Sequence, residues 1–130
     1  MIVFLDSSAL LAPFETGVDF VNGIMGLTQG RAIMIVPFET LVELRGLSMG
    51  KPKLAGMARL ALSVASGFRT FPPTGMRCDD ALLYLAKTYK AAVATGDRTL
   101  SVRLRALRIP VFYPSGGRRI IGKGWFEKGW

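Results

Sequence analysis

Short apolar runs that alternate with stretches of helical period predict an α/β fold, with a parallel sheet covered by helices on both faces. The size fits: 130 residues, half of them hydrophobic, suit one domain with a sizeable core. That apolar share excludes a disordered chain, and the length excludes a two-domain enzyme. No apolar run reaches the roughly 18 residues that a membrane span needs. The opening MIVFLD has no basic residue before its apolar stretch and meets Asp6 at once, unlike a secretory signal. The expected compartment is the cytoplasm.

The elements follow in order. Ile2-Val3-Phe4-Leu5 is a buried-strand pattern ending on Asp6, and Ser7-Ser8-Ala9 open a short helix up to Pro13. Val18 to Leu27 has helical spacing. Ala32 to Val36 is the next strand, stopped by Pro37, and Phe38 to Leu47 is a helix with Leu41, Leu44 and Leu47 on one side. Leu54 to Ser66 is small, apolar and helical, closed by Gly67. Phe68 to Phe71 is a short strand before the Pro72-Pro73 break. Asp79 to Tyr89 is a helix with its acids in the first turn, where the helix dipole favours them. Ala91 to Ala94 is a strand ending at Thr95-Gly96-Asp97. Thr99 to Leu107 is a basic amphipathic helix, and Ile109 to Tyr113 is the last strand. From Pro114 the chain has five glycines and four basic residues and is expected to be mobile. This sets a domain over 1–114 and a basic Gly/Arg/Trp tail over 115–130.

Two absences narrow the chemistry. With no histidine there is no Ser-His-Asp triad, no Cys-His pair and no imidazole ligand. The single cysteine, Cys78, excludes an internal disulfide and a multi-cysteine zinc site. Cys78 reads as a small buried filler, since nothing can serve as its base. Catalysis must then fall to carboxylates or a lysine, and carboxylates select hard cations such as magnesium or manganese.

Charge points to a polyanion. Residues 1–97 hold nine Lys/Arg against eight Asp/Glu, whereas residues 98–130 hold eight against one, so the net is +1 followed by +7. Nucleic acid is favoured over membrane because no long amphipathic helix carries the excess, the alternative being a solubilising surface in a basic proteome.

Four acids stand out by position. Ligands of parallel sheets lie beyond the carboxyl ends of the strands. Asp6 and Asp97 each follow a strand directly, Asp79 opens the helix before the second of those strands, and Glu43 lies in the helix after the strand at 32–36. Each has a structural alternative: Asp6 and Asp97 as helix caps, Asp79 and Asp80 as first-turn residues, Glu43 as a solvated acid. Together they fall on one edge of the sheet. Four converging carboxylates stay ionised only beside cations, and a magnesium or manganese pair there would activate water for phosphodiester cleavage. Gly116-Gly117-Arg118-Arg119 is no phosphate cradle, because no helix starts after it. Trp125, Phe126 and Trp130, among Lys123 and Lys128, suit base stacking or contact with another subunit.

The order Leu5-Asp6-Ser7-Ser8-Ala9-Leu10, then Val36-Pro37 with Val42-Glu43-Leu44, then Asp79-Asp80-Ala81-Leu82-Leu83 with Ala86, then Ala94-Thr95-Gly96-Asp97-Arg98 resembles a PIN domain over residues 2 to about 113. Thr95 to Tyr113, with the arginine-rich stretch after it, looks most like archaeal proteins similar to the PIN nuclease of the small-subunit processome. Toxin nucleases of the VapC type are the other near relatives. The resemblance implies a three-layer α/β/α sandwich and a Mg²⁺- or Mn²⁺-dependent endoribonuclease, with pre-rRNA processing as one role. It matches the four motif acids to Asp6, Glu43, Asp79 and Asp97, as metal ligands and catalytic residues. Asp79 stands 18 residues before Asp97, the family's usual spacing, while Asp80 stands 17 before it and is assigned a supporting place through water. Ser8 and Thr95 would support through hydrogen bonds. Glu39, one turn before Glu43, is the reserve second acid. Arg98, Arg103, Arg105, Arg118 and Arg119 would bind the RNA backbone. Asp6-Ser7-Ser8 stands where the family often has Asp-Thr-Asn, Gly96 replaces an asparagine, and Thr99 stands where some members carry a further acid. Expected partners are RNA, with ribosome-assembly factors or an antitoxin, and a second copy of the chain. The rival from another class is a non-catalytic RNA-binding protein of ribosome assembly.

Overall fold

The computed structural model describes residues 1–124. Strand β1 (Ile2–Leu5) pairs in parallel with β2 (Ile33–Pro37) on one side and β4 (Ala92–Ala94) on the other. β3 (Arg69–Phe71) adds parallel to β2, and β5 (Val111–Ser115) parallel to β4. β6 (Arg119–Lys123) closes the far side antiparallel to β5, giving the order β3-β2-β1-β4-β5-β6. The chain leaves β1 toward β2 and β3, then returns to its other side with β4 and β5. The topological switch point, where such sheets hold ligands, therefore lies between the ends of β1 and β4.

Alternation along the strands makes two cores. Val3, Leu5, Met34, Val36, Ala92, Ala94 and Phe112 face one side. They pack against α1 (Ser7–Glu15), α2 (Phe20–Leu27), α3 (Phe38–Leu47) and α4 (Pro52–Ala65). Phe4, Val93 and Val111 face the other, under α5 (Cys78–Tyr89) and α6 (Arg98–Ala106). The result is the expected three-layer α/β/α sandwich. Both faces of the central strands are buried, so these strands read as continuous apolar runs. Helix α4 presents Ala55, Ala58, Ala61 and Ala65, a helical-period stripe of small side chains, as its buried face.

Most boundaries shift by one or two residues from the sequence reading, Pro37 closing β2 from inside the strand, and three of the differences have a clear cause. Helix α1 runs through Pro13 to Glu15. Proline removes one amide from its last turns, but Leu10, Leu11 and Phe14 remain packed in the core, and the Thr16 amide closes the helix on the Ala12 carbonyl at 2.9 Å. Helix α2 begins at Phe20, because Asp19 caps it by accepting from the Asn22 amide at 3.1 Å.

The third difference is larger. The expected boundary at residue 114 falls inside β5, and residues 115–123 form a hairpin that completes the sheet, where a mobile tail was expected. Gly116 and Gly117, at φ +58° and +80°, make the turn. Pro114 is tolerated because the amides of its register point toward β4, which has already ended: Val93 and Thr95 bond the carbonyls of Pro110 and Phe112, and no pairing follows. Ile120 then buries in the core against α2, where Gly23 leaves room for it. Trp125, Phe126, Lys128 and Trp130 lie outside the described residues.

Candidate active site

Asp6 directly follows β1 and is buried, with both carboxylate oxygens hydrogen-bonded and room left on Oδ1. The Ser7 amide donates to Oδ1 at 2.8 Å, so Asp6 does cap α1. Ser8 Oγ and Thr95 Oγ both donate to Oδ2, at 2.7 and 2.8 Å. These hydroxyls are fixed in turn, since the Gly96 amide donates to Ser8 Oγ at 2.9 Å and the Asp97 amide to Thr95 Oγ at 3.0 Å. The first and fourth motifs are thereby tied into one hydrogen-bonded unit across the switch point. Burial pushes the Asp6 carboxyl above its ordinary value; the bonds from Ser8 and Thr95 oppose this, and the charge of Glu43 adds to it.

The other acids gather around this unit. Glu43 reaches in from α3 and accepts from Ser7 Oγ. Ligand atoms of Asp6, Glu43 and Cys78 lie within 4.8 Å of one another. Asp79, in the first turn of α5, has its carboxyl raised by burial and then by the charges of Asp97 and Glu43, which Arg103 partly offsets. Asp97 caps α6 through the Leu100 amide at 3.2 Å, and its side chain is exposed at the rim. The two strand-end acids are thus helix caps and neighbours of the acidic cluster at once. Asp80 turns outward to an exposed ion pair with Arg103, at 3.3 Å.

The donor set decides which ion fits. Carboxylate oxygens that are partly desolvated and mutually repelling suit a hard divalent cation. Burial, followed by the charges of Asp6 and Glu43, pushes the Cys78 thiol up to about 12. Cys78 is therefore a neutral thiol near neutral pH and no nucleophile. The cluster can hold a metal ion through oxygen, with Asp6 and Glu43 as the carboxylates of its close group and Asp79 and Asp97 outside that group.

Two roles were not visible in the sequence. Glu39 is bound to the loop after β3: Thr74 donates to its Oε2 from the amide at 2.6 Å and from Oγ at 2.7 Å. Ser7, read only as the start of a helix, bridges to Glu43. Both are contacts between residues about 35 positions apart, so neither spacing nor period signals them.

The expected RNA-contacting arginines divide. Arg98, Arg103, Arg118 and Arg119 are exposed. Arg105 is half-buried, donates to the Ile109 carbonyl at 3.0 Å and lies against Gly124, which makes it a structural tie. Arg118 rests on Gly17, whose positive φ of +76° and missing Cβ make room for the guanidinium. Because β5 runs parallel to β4, the hairpin tip carrying Arg118 and Arg119 stands at the same sheet edge as the acids.

The structure of the PIN domain endonuclease Utp24 is 22% identical with a TM-score of 0.72, over 92% of this chain and 90% of that one. A domain of a functionally unknown protein from Methanocaldococcus jannaschii DSM 2661 is 16% identical with a TM-score of 0.63, over 92% of this chain and 95% of that one. At such identities the likeness is one of fold. No curated protein matches. The family model described as PIN like domain matches residues 3–115, and the chain belongs to that family.

Proposed function

We infer that the protein is a magnesium- or manganese-dependent endoribonuclease. The observation that supports this reading is the grouping of Asp6 and Glu43, with ligand atoms within 4.8 Å at the switch point of the sheet, and the nearness of Asp79, whose carboxyl is raised by burial and by the charges of Asp97 and Glu43. These four would hold the ion, which neutralises their charge and supplies a Lewis acid for phosphodiester hydrolysis. Asp6 is oriented for this by Ser7, Ser8 and Thr95. Hydrolysis joins a water oxygen to phosphorus and releases a ribose oxygen, which takes up a proton. Arg98, Arg103, Arg118 and Arg119 would hold the flanking phosphates. RNA as substrate, and pre-rRNA in particular, rests on the motif resemblance and on the basic final quarter of the chain.

Incubation with structured RNA, with and without manganese, tests the reading. Cleavage is expected only with manganese, and Asp97→Asn or Asp79→Asn should abolish it without loss of the folded state. RNA binding with no metal-dependent product would replace it with the non-catalytic RNA-binding alternative. Cleavage suppressed by a co-expressed antitoxin would assign the toxin role.

A further inference from the structure

Beside the acids lies a cleft of about 530 Å³ between α3 and the loop at 72–77. Phe38 and Val42 line it from the helix, and Pro73 and Met76 from the loop, with Arg77 also on its wall. Two further walls, Glu43 and Cys78, are themselves part of the acidic cluster, so the cleft opens directly from the candidate active site. Its volume falls in the range of small-ligand sites, roughly 300–1,000 Å³.

Glu39 gives the cleft its chemistry. It lines the wall and holds the loop through Thr74, using Oε2 alone. Its Oε1 is buried without a hydrogen-bond donor among the described residues. A buried acceptor left unsatisfied is destabilising, and a donor supplied by a ligand relieves that cost. The cleft therefore combines apolar surfaces, a cation and an acceptor that lacks a donor.

We propose that this cleft is a nucleobase subsite, holding the base of the nucleotide next to the phosphodiester bound at the acids. Single-stranded RNA is read in this way, by bases splayed from the strand, packed on side chains and hydrogen-bonded along an edge. A base offers a flat face to Phe38, Pro73 and Met76, and an N–H edge as donor to the Glu39 carboxylate once a small side-chain shift opens Oε1, which is closed to solvent in this structure. Arg77 complements the adjoining phosphate. The proposal rests on the nuclease reading for the position of the phosphate, and its test separates the two.

The test uses one single-stranded RNA and a set of copies, each with a single abasic nucleotide at a successive position. Affinity is measured by fluorescence anisotropy without metal, and kcat/KM with manganese. The variant is Val42→Trp, which fills the cleft from a half-exposed position, so the fold should tolerate it. An unchanged melting temperature and manganese-induced shift would verify that. In the native protein, one abasic position beside the cut should lower affinity and kcat/KM by about tenfold, the size of one stacking contact. In Val42→Trp the intact RNA should fall to that level, and the abasic copy should lose nothing more. Cleavage that is indifferent to every abasic position, or an abasic loss that persists in Val42→Trp, would overturn the subsite and leave the nuclease standing. A position-specific loss of affinity that Val42→Trp erases, with no cleavage of any RNA, would support the subsite and overturn the nuclease. Position-independent affinity without cleavage would overturn both.

Discussion

Asp6 shows how one carboxylate serves fold and site together. Three donors fix its orientation, while burial and Glu43 work against its charge. A divalent cation that binds only the folded protein adds stability by mass action, about 1.4 kcal/mol at ten times its Kd. For a chain of this size that is a rise on the order of 5 °C. Millimolar manganese should raise the melting temperature of the native protein in this way, and that of Asp6→Asn much less. Equal shifts in both would remove Asp6 from the metal site. Glu39 tests a different linkage. Burial acts to raise its carboxyl, but the two bonds from Thr74, together with one from its own backbone amide, outweigh this and hold it below its ordinary value of 4.5. A depressed carboxyl contributes stability that is present above the unfolded value and lost as pH falls through the folded one. Glu39→Gln should therefore cost about 1 kcal/mol at pH 7. In melting curves the gap to the native protein should close as pH drops below 4.5. A gap of equal size at pH 3 and pH 7 would show that the charge of Glu39 is not what holds the loop. The manganese-induced shift should survive the change, because Thr74, and not the metal cluster, is the partner of Glu39.

At the scale of elements, the docking of β6 on α2 is the join that most needs testing. A Cβ added at Gly23 would lie 2.7 Å from Ile120 Cγ1 and 2.9 Å from its Cβ, so helix and strand must part. At Gly26, on the same helix, it would meet nothing within 4 Å. Gly23→Ala should destabilise by about 1–3 kcal/mol through overpacking. Gly26→Ala should be neutral or stabilise by up to about 1 kcal/mol, since alanine is the better helix former. Denaturant titration of both separates steric from conformational effects, and equal midpoints would mean that Ile120 does not seat on α2. The same join marks where sequence reading stops. The helices at 38–47, 52–65 and 78–89 were legible within two residues because their apolar positions recur at helical period. Asp6 and Asp97 were legible because each directly follows a buried run. Strand β6 was not: Ile120 and Ile121 are only two apolar residues among glycines and basic side chains. What makes them a strand is a sheet edge at β5 and a glycine on α2, both distant in the sequence. The Thr74 latch and the Ser7 bridge were illegible for the same reason.

For the whole molecule, the question is how a net charge of +8 is arranged around an acidic centre. The arginines of the final quarter do not form one uniform surface. Arg105 is a structural tie and Arg103 pairs with Asp80, whereas Arg118 and Arg119 project at the hairpin tip, beside the edge that carries the acids. Arg118 is also steadied by Gly17. Such a tip can hold a phosphate backbone that the acids alone would repel. Deleting residues 115–130 would remove β6 and damage the core, so charge neutralisation is the sound test. Arg118→Gln with Arg119→Gln leaves Ile120 and the hairpin glycines in place. For single strands each phosphate contact contributes about 0.7 to the slope of log affinity against log salt. The double variant should therefore bind RNA more weakly at low salt, with a slope flatter by about 1.4 if both arginines engage phosphate. Its manganese-induced melting shift should match the native protein, since no acid is altered. An unchanged slope would mean that the RNA backbone does not cross the hairpin, and would leave Arg98 and Arg103, on α6 beside Asp97, as the cations that guide it.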